Sequence, residues 1–141
     1  MIRIIMLSLS LFLSPVDRTH DSWTSDDLDI YTAVLRFFSP PRNQVRWIDL
    51  QMIPAGKTMP SAVRDSLIRR AGKRFEGWSS FHESDRRSGG RINLSSIYRF
   101  TPDSVSVTAQ YQHRMEYHSN EPFPVRFLLV KRNSKWVRLK P

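Results

Sequence analysis

The chain has 141 residues, 40% hydrophobic and 25% charged, which suits a single folded domain with one core and excludes a disordered protein. It contains no Cys, which excludes disulfides, thiolate catalysis, thiolate metal sites and an N-terminal lipid-modified cysteine. The net charge of +9 is uneven: six basic and six acidic residues cancel from Met1 to Val63, whereas Arg64 to Pro141 holds 16 basic against seven acidic. Such a surface draws polyanions when it is concentrated on one face, and is otherwise a solvated coat.

Met1-Ile2-Arg3 is short and positive, and Ile4 to Leu13 is apolar apart from Ser8 and Ser10. A charged start followed by a short apolar run is the layout of a secretory signal peptide, here residues 1–14, and it predicts a secreted or periplasmic protein. The run is too short for a membrane span, which needs about 20 apolar residues. Phe12 occupies a position where cleavage after Ser14 would want a small residue, and Ser8-x-Ser10 would cut the apolar run short. An uncleaved anchor and a mis-assigned start therefore stay open.

Residues 15–24 read as a polar lead-in to a single domain over 25–141. Thr24-Ser25-Asp26-Asp27 predicts a helix start, with a hydroxyl cap and carboxylates at the positive end of the dipole. Ile30, Tyr31, Val34, Leu35, Phe37 and Phe38 recur at helical spacing, and Pro40-Pro41 stops the helix. Val45 to Ile53 predicts a strand with Ile48, Leu50 and Met52 on one face and Trp47, Asp49 and Gln51 on the other. Ser61 is expected to cap a second helix whose apolar face is Ala62, Val63, Leu67, Ile68 and Ala71, with Gly72 as its C-cap.

Phe75, Trp78 and Phe81 are expected to cap the sheet, and His82 to Gly90 reads as a loop. From Arg91 onward the pattern is strand. Ile92, Leu94, Ser96, Tyr98 and Phe100 alternate, and Thr101 to Ser104 makes a turn. Val105, Val107, Ala109, Tyr111, His113, Met115 and Tyr117 then share one face of a run long enough to predict a bend or bulge near Ala109 to Gln112. Val125–Lys131 and Lys135–Leu139 form a closing hairpin across Arg132-Asn133-Ser134.

The expected fold is thus α+β, with about two helices packed on a curved antiparallel sheet of four to five strands. Helix, strand, helix and then a meander resembles the cone-shaped roll of the nuclear-transport-factor-2-like (cystatin-like) superfamily. Within it the chain is similar to small uncharacterised secreted bacterial proteins, through Ile30, Tyr31, Val34 and Leu35 in the first helix and Lys131 with Lys135-Trp136-Val137 in the last hairpin. The resemblance implies a homodimer through the sheet, and it spans enzymes, transport factors and accessory domains, so fold alone does not decide activity.

No catalytic residue is assigned. His113 and Tyr111 are the candidates, and with Met115 they form the candidate ligand site on the concave face, where an imidazole among aromatics could act as acid or base if a carboxylate such as Asp49 stood near. A hydrogen-bonded structural histidine is the competing reading. Glu116 and His118 make at most half a metal site, His20 and His82 have no partner at ligand spacing, and neither metal nor cofactor is expected.

Arg64, Arg69, Arg70, Lys73 and Arg74 make a basic patch, although cations at a helix C-terminus are also ordinary structural practice. Nucleic acid is not expected as a partner of an exported chain; a small apolar ligand or a protein is. Asn93-Leu94-Ser95 matches a glycosylation sequon inside a predicted strand. The reading favours a non-catalytic binding or accessory module, the alternative being a small acid–base enzyme of the polyketide-cyclase-like or dehydratase-like kind.

Overall fold

A computed structural model describes residues 23–54, 56–80, 89–113 and 123–140, without the side chains of His113 and Phe123. The expected signal peptide, most of the lead-in, the loop from His82 to Ser88, and Met115, Glu116, Tyr117 and His118 lie outside the described residues. The first helix, α1 (Ser25–Phe37), starts on a complete capping box. The Thr24 hydroxyl accepts from Asp27 N at 3.1 Å, and Thr24 N donates to the Asp27 carboxylate at 3.0 Å. Its face of Ile30, Tyr31, Val34 and Leu35 is buried, together with Phe38 just beyond the helix end. Phe37, expected on that face, is half exposed and lies under the Arg138 guanidinium, 4.3 Å from its ring centre.

The predicted strand from Val45 stops early, as β1 (Arg46–Ile48). The Asp49 carboxylate accepts from Gln51 N at 3.0 Å, a local turn that competes with the ladder. The chain then folds back on itself, Met52 N donating to Lys57 O and Met59 N to Leu50 O, which buries Met52 and Met59. Helix α2 (Ser61–Ala71) begins after Pro60 with no side-chain cap, so Ser61 is its first residue rather than its cap. It ends as expected at Gly72, whose φ of 115° lies where only glycine is at ease. Of the predicted apolar face only Leu67 is fully buried.

After α2 comes an unexpected strand, β2 (Phe75–Gly77), paired in parallel with β1. Parallel neighbours need a crossover, and α2 supplies it. β1 is also parallel to β3 (Gly90–Leu94). The remaining strands are β4 (Tyr98–Thr101), β5 (Ser104–His113), β6 (Phe123–Arg132) and β7 (Lys135–Arg138). The order is β2-β1-β3-β5-β6-β7, with β4 also on β5. The architecture is therefore α+β with two helices on a strongly curled, half-barrel sheet, compatible with a cone. The sheet is mixed and seven-stranded, not antiparallel with four to five strands, because short parallel pairs carry too few residues to show an alternation.

The expected bulge is not in β5, which keeps one register with β3 from Ala109 to His113 and with β6 from Ser104 to Tyr111. It sits in the partner. Leu94 pairs with Ala109 but Tyr98 pairs with Ser106, so the segment between β3 and β4 holds one extra residue. Ser95 is the cause: its hydroxyl accepts from Thr108 N at 2.8 Å and its carbonyl accepts from the Tyr31 hydroxyl at 2.8 Å. The closing hairpin turns at Asn133 and Ser134, both with positive φ (50° and 62°), the two-residue turn that suits strand twist.

The core lies between α1 and the inner side of the sheet, where Ile48, Ile92, Leu94, Val105, Val107, Ala109, Phe127 and Leu129 meet the helix. On the outer side Trp47, expected among polar neighbours, is instead fully buried with Trp78 edge-on to it. No described helix is long and apolar enough to cross a membrane. Gly89 and Gly90 pass close under their neighbours: a Cβ on Gly89 would stand 1.6 Å from Val45 O, and one on Gly90 2.1 Å from the Tyr111 ring. Gly89→Ala is expected to destabilise the domain by about 3 kcal/mol, since backbone must move to relieve the overlap. Urea unfolding measures it, and a midpoint within error of wild type would contradict this packing.

Candidate functional site

Tyr111 stands on the inner side of β5 beyond the end of α1, where the sequence placed the ligand site. Its ring stacks on Phe38 with centres 5.7 Å apart, and Arg46 of β1 holds its guanidinium carbon 4.9 Å from the ring centre. Burial raises the Tyr111 pKa, and the Arg46 charge offsets part of that rise. Arg46 is half-buried, donates to Gln44 Oε1 at 2.9 Å, and has no carboxylate partner among the described residues. A cation held beside an aromatic ring without a counter-charge was not singled out by sequence reasoning, because one Arg in a three-residue strand carries no pattern. His113 reaches the same end of β5 by its backbone, opposite Gly90. Its side chain and Met115 lie outside the described residues.

Asp49, the suggested carboxylate for an acid–base pair, is on the other side of the sheet from Tyr111. It lies 3.8 Å from Arg91, on the outer face. Arg91 also donates to Gln112 Oε1 at 2.7 Å and lies 4.9 Å from the Trp78 ring centre. Glu76, Trp47, Arg91 and Gln112 are successive partners across β2, β1, β3 and β5, so they make one cross-strand row. Among the described residues no three His, Asp or Glu side chains are grouped as a metal site.

A second polar cluster sits at the start of α1. One oxygen of Asp26 accepts from both Lys131 Nζ and Trp136 Nε1, each at 2.9 Å, while Arg99 reaches its other oxygen at 3.3 Å. Arg99 also donates to the buried Asp27 at 2.6 Å. Lys131 and Trp136, the residues that carried the resemblance in the last hairpin, thus tie β6 and β7 to the helix. Burial pushes the Asp26 carboxyl up, but the bonds from Trp136 and Lys131, the Lys131 charge and Arg99 outweigh it, leaving the pKa below its ordinary 3.8. Tyr31, next along the helix, has its pKa raised by burial and by Asp27, with Arg99 opposing.

The basic patch is largely spoken for. Arg70 pairs with Asp29 and donates to Ser25 Oγ, joining α2 to α1, and Arg74 donates to Pro40 O at 2.5 Å. Arg64 bonds Asp65 and Ser79, and Arg69 donates to Ser66 Oγ at 2.9 Å. Arg69 and Lys73 are exposed. The sequon residue Asn93 uses its amide on Gln51 O at 2.8 Å.

Because the folded pKa of Asp26 is depressed, its contribution is complete above the unfolded value and is lost as pH falls through the folded one. Asp26→Asn is expected to cost about 1–2 kcal/mol near neutral pH, with the deficit shrinking below about pH 4. Urea unfolding of both proteins across pH checks this, and a deficit unchanged by pH would contradict it.

Compared with known proteins, the chain matches no family model, no curated protein and no solved structure, so the site is read from its own residues.

Proposed function

We propose that the chain is an exported, non-catalytic binding module of the nuclear-transport-factor-2-like kind, whose ligand lodges at the Tyr111 end of the concave face. The observation that carries this is Arg46: a half-buried guanidinium against an aromatic ring, with no carboxylate partner among the described residues. Phe38 and Tyr111 offer apolar surface beside it. The fitting ligand is an apolar molecule with an acidic head, since a charge left in a half-buried setting gains most from a charge-assisted hydrogen bond.

Acid–base chemistry is supported less well. General acids and bases work best with pKa values near neutrality. Tyr111 is moved up, Asp26 is moved down, and Asp49 lies across the sheet from Tyr111.

Decanoate and decanol separate the head-group requirement from the apolar one. Arg46→Met is expected to weaken decanoate binding about tenfold and leave decanol unchanged, by calorimetry. Equal loss for both, or none, would remove the ligand reading. Export is tested separately by fusing residues 1–24 to a phosphatase that is active only outside the cytoplasm. Activity is expected, and Leu11→Arg should abolish it; an inactive wild-type fusion would contradict export.

A further inference from the structure

The side of the sheet away from α1 carries a second surface that the ligand reading leaves unused. Val105, Val107 and Ala109 face the helix, so Ser104, Ser106 and Thr108 of β5 face outward, and their cross-strand partners share that face. Tyr98 pairs with Ser106, which pairs with Leu128, and Leu139 N donates to Leu128 O. Ser104 pairs with Val130, which pairs with Val137. The outward row therefore brings together Tyr98, Phe100, Leu128, Val137 and Leu139, exposed by 39% at Leu139 and up to 64% at Tyr98. The Tyr98 and Phe100 rings contact each other edge-on, 4.9 Å between centres. Folded monomers seldom leave that many large apolar groups contiguous in water without a partner.

On the part of this face formed by β4 to β7 the charges have one sign. Arg126, which donates to Ser106 Oγ at 3.3 Å, is partnered with Thr108 and so points outward, as do Arg132 and Lys135, which pair with each other at the hairpin end. No outward position of β4, β5, β6 or β7 among the described residues is a carboxylate; Asp103 stands at the turn between β4 and β5.

We infer that this outer face is a docking surface for an anionic lipid bilayer. Exposed aromatic and aliphatic groups flanked by Arg and Lys match a headgroup boundary, where the rings enter the interface and the cations meet lipid phosphates. A second copy of the chain fits less well. The helices fill the inner side of a curled sheet, so the outer side is convex, and two convex faces meet over little area. Such a dimer would also set Arg126 and its neighbours against their own kind. The inference goes beyond the ligand reading and does not depend on it.

The test is flotation of the full chain with vesicles of equal phosphatidylglycerol and phosphatidylcholine, against vesicles of phosphatidylcholine alone. Wild type is expected to float only with the anionic vesicles. Arg132→Gln with Lys135→Gln is expected to weaken partition by roughly fivefold per cation removed, and Tyr98→Ser with Phe100→Ser by at least about tenfold. The matched pair Arg42→Gln with Lys57→Gln, off this face, should lose under about threefold. Every variant keeps residues 1–22, so binding through the apolar N-terminal segment would leave all of them equal to wild type. That result, or no flotation of wild type, or equal losses for both charge pairs, would overturn the inference. So would a solution dimer that Tyr98→Ser with Phe100→Ser splits, because the face would then be covered by a second copy.

Discussion

Asp26 gathers Lys131, Trp136 and Arg99 onto one carboxylate at the first turn of α1, and Asp27 behind it closes the helix cap while holding Arg99 a second time. Apolar packing alone is non-directional: a greasy helix on a greasy sheet can slide or rotate at small cost. Hydrogen bonds to a shared carboxylate have direction, and these come from β4, β6 and β7. They fix both where α1 begins and how it is turned. With that end held, the far end delivers Phe38 to the Tyr111 ring, and the Tyr31 hydroxyl reaches the Ser95 carbonyl where β3 passes into β4.

Strong local signals were legible in the chain. The cap at Thr24, the helical spacing through Leu35, the stop at Gly72 and the hairpin at Asn133-Ser134 each depend on neighbours within a few residues. What the sequence did not show depends on partners far along the chain. β2 is a strand only because β1 lies beside it, and Trp47 is buried only because Trp78 and its surroundings cover the outer side. The turn at Asp49 and the extra residue after Leu94 arise from single side chains competing with backbone pairing. Asp26 and Asp27 read as dipole partners, which they are, but their second role needs Arg99, Lys131 and Trp136 in space. Of the candidate site, strand alternation placed Tyr111 on the inner side, while Arg46 became visible only once β1 stood near β5.

The two sides of the sheet present different surfaces. Inside, the half-buried Arg46, with no carboxylate partner among the described residues, lies against the Tyr111 ring that stacks on Phe38. Outside, apolar side chains and cations are mixed in the manner of an interface with lipid rather than a monomer's coat. The proposal that joins them is an exported module that would hold an acidic amphiphile on one side and rest on a membrane with the other.

Native-state hydrogen exchange gives the most direct measure of whether the carboxylate cluster makes helix and sheet one unit. The account predicts that the amides of Val34 and Leu35 in α1 exchange through the same global opening, with the same denaturant dependence, as those of Val107 in β5 and Phe127 in β6. Exchange of the α1 amides more than about tenfold faster, through a local opening that leaves the sheet protected, would contradict it.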